Sequence, residues 1–562
     1  MVEVLKKNSI LVIILVLAFF LRVFGLSFNP PELFGDELDV GYQAYSILKT
    51  GRDLQGFFLP TYFQSLAEAR APLFLYSAVP FVAIFGLNEW GVRLTAAFWG
   101  ILSIFGIYLL TKKLFKSEFL SLVSCFFLAI SPWHLQYSRA GFEVTLLLSL
   151  LIFATYFFLK GFENSKFFAP SAFFFALTFY TYSTANVFTP LLLISLVLIF
   201  WKEINKVLKD KIFLLSIFLF ILILIPAFGN LITGAAAERF GVISLFKRQE
   251  IVQEITQNQI AEPQLGRLFH NKGLSFGYEI ARNYLWAFSP QFLFFDGDPV
   301  GRHHIGKMGE FSWFALPLLI FGIFGLKKLP ISQKPKFLII AWLLLAPIPS
   351  SLTIDGAYHA TRLFILIVPL ILISAAGTTY LFENLNKQVF KTAFLVIVLV
   401  GLVNLATYFH QYWVHYPKDS WRWWQIGFKE GMGFIAANQN NFEKILINNT
   451  YEPALIRFLF YTKYEPAKFH QNFSGDQPKK QILSGFDGFS LENKFFFGTK
   501  TVEFPKILDS KTLYLVSQRD EVPGDLDYRA EPPANVKVLK TVTNPFGEPI
   551  FYLLTGTKNQ PR

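Results

Sequence analysis

In FGDELDVGYQAYSIL (34–48), three carboxylates, Asp36, Glu37 and Asp39, follow directly on the first apolar stretch of the chain. Acids beside lipid headgroups are costly, and those retained there carry function by default. On a helix, Asp36, Asp39 and Gln43 share a face while Glu37 points away. Asp36 then lies near the helix start, where capping is the alternative to chemistry. Tyr42 adds a hydroxyl to the same segment. SLAEARAPLFLY (65–76) brings Glu68 and Arg70 to a second entry into the apolar layer. Two acids with an arginine can hold a divalent cation, with Asp36 and Glu68 as candidate ligands. They can equally orient an acceptor hydroxyl or amine while the arginine holds a phosphate.

Two further regions offer cations. In YSRAGFEVTLLL (137–148), Arg139 and Glu143 stand four apart at the mouth of an apolar run. They read either as a structural pair or as a phosphate contact with a positioning acid. FSPQFLFFDGDPVGRHHIGKMGEFSWFALP (288–317) and IPSSLTIDGAYHATRLFILIVP (348–369) supply Asp296, Asp298, Arg302, His303, His304, Lys307, His359 and Arg362. Adjacent histidines without spaced companions argue weakly for a metal. A basic shell for a phosphate or pyrophosphate suits Arg302, His303, His304 and Arg362 better, with His359 positioning substrate. Gly297, Gly301 and Gly306 permit close backbone approach to a ligand, or serve as turn residues.

These residues need elements to hold them, and composition says which. Of 562 residues, 53% are hydrophobic and 16% charged, and Phe alone occurs 67 times. A soluble domain cannot bury that much apolar surface, so the chain is a polytopic α-helical membrane protein. Its formal charge of +12 is no nucleic-acid signal, because Lys and Arg occur as short clusters between apolar runs. The single cysteine, Cys125, excludes an internal disulfide. The basic start followed by an apolar run lacks a small-residue cleavage site and reads as a retained first helix.

Apolar runs at 10–26, 94–111, 119–135, 143–160, 166–182, 187–201, 212–228, 311–326, 336–349, 363–380 and 391–409 predict about eleven crossings. That count puts every basic loop, at 111–118, 160–166, 202–211, 327–336 and 383–391, on one side with the Lys-bearing N-terminus. By the positive-inside rule this side is cytoplasmic. The apolar run at 72–87 would reverse the parity, so it is predicted to be a juxtamembrane or partly inserted helix. The alternative is a true span with another segment misassigned. The outer side then carries the first loop (27–93), a long loop (229–310) and the tail. The long loop exceeds ordinary loop length and is expected to be functional or partly structured. From 411 to 562, short β-like runs at 444–449, 512–517, 536–542 and 549–554, with a helix at 453–464, predict a small extracytoplasmic α/β domain. The module before it spans 1–410.

With FGDELDVGYQA, EARAPLFLY, SPWHLQYSRAGFEV and IDGAYHATRLFILIVP in this order, residues 8–410 resemble the integral-membrane glycosyltransferases that use polyprenyl-phosphate sugars. The resemblance is to the protein O-mannosyltransferase and aminoarabinose transferase relatives of the GT-C superfamily. It implies a GT-C fold and a cell-membrane enzyme that transfers a hexosyl or pentosyl group with inversion on the outer face. Its implied partners are a polyprenyl-phosphate sugar, a lipid, protein or polysaccharide acceptor, and membrane lipids. It carries the catalytic acid onto Asp36 and an acidic neighbour onto Glu37. It also carries an acid and a base onto Glu68 and Arg70, although EARAP departs from the acid-Lys-Pro-Pro pattern of many relatives. A divalent cation such as Mg, Mn or Zn is used by some relatives and not by others. The competing reading is a transporter or flippase of a lipid-linked sugar, which would place charges deep in the spans and show inverted repeats. Here the charges gather at one face.

Overall fold

The computed structural model describes residues 2–66, 69–234, 243–262, 264–384, 386–473, 480–524 and 526–557. Each of the eleven apolar runs overlaps one or more helices. Five helices, Glu89–Phe115, Val144–Gly161, Lys211–Gly229, Ala360–Glu383 and Lys391–Asp419, are long and apolar enough to cross a membrane. Two bent pairs raise this to as many as seven among the described residues. In the first pair, Glu118–Ile130 meets Pro132–Arg139 at 58°. Pro132 cannot donate an amide and disfavours helical backbone at Ser131, so the break falls between them. Ser117 starts the first half by accepting from the Leu120 amide. The run at 72–87 forms the short helix Pro72–Phe85. The long loop is structured, with helices at Gln249–Ala261 and Lys272–Trp286.

By internal contacts the chain forms two compact units. The first comprises Met1–Leu26, Glu68–Phe74 and Arg93–Tyr416. Its tightest helix pair is Ala315–Lys328 against Ile367–Asn384. Gly322 and Gly377 lie so close to the facing backbone that an added Cβ would come 2.1 Å from the Ile373 and Leu318 carbonyl oxygens, respectively. Small residues of this kind let helices in lipid approach backbone to backbone.

The second unit comprises Ser27–Ala67, Leu75–Val92 and Pro417–Arg562. Its sheet has seven strands: β1 (Lys444–Asn448), β2 (Lys480–Leu483), β3 (Phe486–Leu491), β4 (Phe495–Lys500), β5 (Thr512–Ser517), β6 (Val536–Thr543) and β7 (Pro549–Gly556). Their spatial order is β2-β3-β4-β1-β5-β7-β6. Strand β1 runs parallel to both neighbours, and the outer pairs are antiparallel. The α/β character expected of the tail holds. Strands β2 to β4 were not among the predicted runs, although β3 and β4 form a hairpin about Glu492 and Asn493, both left-handed. Helix Gly35–Thr50 packs on Ala454–Tyr461 and Pro466–Asn472 of the same unit.

Candidate functional site

The helix bearing the first acids begins at Gly35, with Phe34 in the N-cap position. Asp36 therefore sits inside the first turn and is not the capping residue. Its carboxylate is exposed, whereas Glu37 and Asp39 are buried. The i,i+4 pairing of Asp39 with Gln43 is present, Gln43 Nε2 donating to Asp39 Oδ1 at 3.4 Å. Glu37, expected to point away from that face, does so into protein. A negative charge in the first turn also interacts favourably with the helix dipole.

What fixes this helix is a set of buried contacts. Gln43 accepts from the Leu54 amide at 2.8 Å, and Tyr42 donates its hydroxyl to the Tyr464 carbonyl at 2.9 Å. Burial pushes the Tyr42 phenol well above its usual range, so it stays a donor. Gly41 lies against Phe460 and Val92, where a Cβ would approach within 2.5 and 2.7 Å. Upstream, Glu32 accepts from the Gly427 and Lys429 amides at 2.9 and 3.2 Å. Tyr42 thus anchors the segment that presents Asp36.

Glu68 lies outside the described residues, so its pairing with Asp36 as metal ligands is not addressed by the structure. Within the first unit, Arg70 is buried and pairs with Glu143 at 3.3 Å. Arg139 is buried at the end of Pro132–Arg139. Its Nε donates to the Tyr412 hydroxyl at 2.7 Å, and its terminal nitrogens donate to the Leu21 and Phe24 carbonyls at 2.7 and 2.8 Å. The guanidinium also lies 5.2 Å from the Tyr412 and Trp413 ring centroids. Arg139 is thereby built into the fold, clamping the end of the first helix.

The two later loops converge. A short π-helical turn, Gln291–Phe295, is followed after Asp296 by Gly297 in left-handed conformation. Main-chain bonds from Glu310 and Phe311 to the Phe292 and Leu293 carbonyls close the loop on itself at 3.1 and 2.6 Å. Asp298 stands at its centre, 2% exposed. Its Oδ1 accepts from the Val300 amide at 2.8 Å. Its Oδ2 accepts from the Ala360 amide and faces His303 Nδ1, both at 2.8 Å. His359 immediately precedes Ala360, and its ring centroid is 5.1 Å from that of His303.

Electrostatics sharpen this cluster. Burial pushes Asp298 up, but the neighbouring His303 and His359 hold it below the usual carboxylate range. Burial and the Asp298 charge drive Glu310 well above its usual range, so it is neutral, accepting from the Asp298 amide at 3.1 Å. Burial, then Arg362 and His303, hold His359 well below the ordinary imidazole value. Burial also lowers His304. Both imidazoles are thus neutral nitrogen donors. Arg362 donates to Thr353 Oγ1 at 2.6 Å. The Arg302 main chain is held by Gln136 Nε2, which donates to its carbonyl at 2.7 Å. Gly297 and Gly306 take positive φ and act as turn residues; at Gly297 a Cβ would meet Glu310 and His304 at 3.1 Å.

Asp298, His303 and His359 offer ligand atoms within 4.8 Å of one another, the donor set among the described residues that could hold a metal ion. Sequence reasoning named these side chains but weighed the two histidines as neighbours in sequence. The partner that matters, His359, is more than fifty positions away. Glu310 was missed altogether, since a neutral buried acid has no distinguishing sequence signal.

Residues 69–229 match the family described as dolichyl-phosphate-mannose-protein mannosyltransferase. No curated protein sequence matches the chain. In fold it is similar to ArnT from Cupriavidus metallidurans, solved bound to undecaprenyl phosphate. That match has 11% identity and a TM-score of 0.51, and covers 100% of this chain and 99% of ArnT. It is also similar to the oligosaccharyltransferase AglB from Archaeoglobus fulgidus, solved with an inhibitory peptide and a dolichol-phosphate. There the identity is 15% and the TM-score 0.50, over 82% of this chain and 64% of AglB. Residues 69–229 of the chain therefore match the family described as dolichyl-phosphate-mannose-protein mannosyltransferase, and the chain shares its fold with ArnT and AglB.

Proposed function

We propose that this protein transfers a glycosyl group from a polyprenyl-monophosphate-linked sugar to an acceptor on the outer face of the cell membrane, with inversion. Residues 1–410 form the transferase module and 411–562 an extracytoplasmic domain. The observation that carries the reading is the exposed Asp36 carboxylate on a helix immobilised by Tyr42, Gln43 and Gly41, in a chain matching the mannosyltransferase family over 69–229. A polyprenyl donor buries its tail, so its scissile bond lies at the headgroup plane.

Asp36 acts as general base and takes the proton of the acceptor hydroxyl or amine as that atom bonds to the anomeric carbon. The bond from that carbon to the phosphate oxygen breaks with the electron pair, releasing polyprenyl phosphate. Stabilising the departing charge needs fixed cations. Within their own unit, Arg70 and Arg139 are engaged with Glu143 and with main-chain carbonyls.

Asp36→Asn is expected to lose about 100-fold or more of the transfer rate, the range for removing a general base, with unchanged abundance in the membrane. The readout is mass spectrometry of products formed by the purified protein from a panel of polyprenyl-phosphate sugars. Unchanged transfer would overturn the role of Asp36. Movement of a labelled lipid across vesicles without any covalent product would favour the transporter instead.

A further inference from the structure

We infer that Asp298, His303 and His359 form a binding site for one divalent transition-metal ion of the zinc type. Two imidazole nitrogens and one carboxylate oxygen suit zinc, which accepts nitrogen and oxygen donors in tetrahedral geometry. They do not suit magnesium or calcium, which take oxygen ligands. Three protein ligands leave the fourth position open to water or to an anionic oxygen.

Two features of the cluster point to an ion and not only to a hydrogen-bonded pair. His359 Nδ1 is buried and has no hydrogen-bond partner among the described residues. A buried polar nitrogen left in this state is costly, and an ion would satisfy it. The Val300 and Ala360 amides also orient the Asp298 carboxylate from behind, as outer partners orient metal-ligating side chains.

The distances are compatible. His303 Nδ1 and Asp298 Oδ2 are 2.8 Å apart, and the three donor atoms fall within 4.8 Å. A tetrahedral site with bonds of about 2.0–2.1 Å separates its ligands by about 3.3 Å. Opening one pair slightly and closing the other needs imidazole rotation, for which the terminal torsion is broad. The ion would replace the hydrogen bond between Asp298 and His303.

The site can be tested without substrate, so its failure is distinguishable from failure of the transferase reading. Full-length protein is purified in detergent, stripped with chelator, exposed to zinc and desalted, and its metal is counted by mass spectrometry. About one equivalent per chain is expected. His359→Ala should weaken zinc binding at least tenfold, while His415→Ala, at an exposed histidine away from the cluster, should not change it. Because His359→Ala could also fail to fold, His359→Cys serves as a second variant. It should restore binding and give cobalt-loaded protein a thiolate-to-metal absorption band that wild type lacks. Monodisperse wild-type protein that takes up no zinc, or His359→Ala that binds it with unchanged affinity, would overturn the site.

Discussion

Asp36 and Glu37 differ by one position and meet opposite surroundings, one exposed and one buried. A helix rotates by 100° per residue, so the second carboxylate enters the packed side of the unit while the first keeps its access. Glu32, four residues before Asp36, carries a testable consequence of burial. Enclosure pushes its carboxyl up to about 7, against the pull of the Gly427 and Lys429 amides and the Lys429 charge. Between its ordinary value of 4.5 and about 7, the folded state holds a proton that the unfolded chain has released. Stability from this group is therefore complete below the lower value and is lost as pH rises through the upper one, by about 3 kcal/mol in all. Melting temperatures of wild type should fall between about pH 5 and pH 8, and Glu32→Gln should flatten that slope. An equal slope in the variant would remove Glu32 as its source. At this scale the sequence was partly legible. Asp36 was set apart by helical spacing and by resemblance. The commitments of Arg139 to the Leu21 and Phe24 carbonyls were not, because they depend on tertiary partners that spacing does not encode.

Helices were legible where apolar length alone decides them, and each of the eleven runs overlaps helical structure. Their extents were less so. Breaks such as the one at Ser131–Pro132 split a continuous apolar stretch, and helices such as Phe168–Thr178 stop short of bilayer thickness. In the tail, β1 and β5 to β7 announced themselves as short β-like runs. Strands β2 to β4 did not: glycine interrupts β3 and β4, and β2 is only four residues long. The Gly488–Gly498 pairing across β3 and β4 shows why glycine stands there: a Cβ on Gly488 would lie 1.9 Å from the Phe497 carbonyl oxygen. The same steric logic governs the helix pair Ala315–Lys328 and Ile367–Asn384. Gly322→Val and Gly377→Val must push a backbone carbonyl away, not merely turn a side chain. Each is expected to destabilise by about 3 kcal/mol or more, read as lost monodisperse protein or a lowered melting temperature in detergent. Gly401→Ala, whose nearest neighbour is a Phe314 ring atom at 3.6 Å, should leave both unchanged. Similar losses at all three positions would mean that general helix flexibility, and not the close approach, is what glycine supplies.

Across the whole chain, chemistry and sidedness are linked. A base that acts on acceptors outside the cell has to lie outside, and in the proposed topology the distribution of Lys and Arg assigns it there. In that topology basic clusters such as 202–211 anchor on the cytoplasmic side, because translocating them is unfavourable. On the proposed count of about eleven crossings from a cytoplasmic N-terminus, the tail and its sheet face outward. The single native thiol, Cys125, is fully buried, so introduced cysteines can report on this arrangement without a competing label. Lys209 and Lys537 are both exposed, one in a basic loop and one on β6. In intact cells, a membrane-impermeant maleimide should label Lys537→Cys and spare Lys209→Cys until the membrane is opened. Labelling of Lys209→Cys alone would reverse the orientation and place the tail in the cytoplasm. Labelling of both in intact cells would mean an even number of crossings between them, contrary to the predicted odd count. The reversed orientation would remove the outer-face acceptor from the proposed reaction while leaving the zinc site, which is read on purified protein, to stand or fall separately.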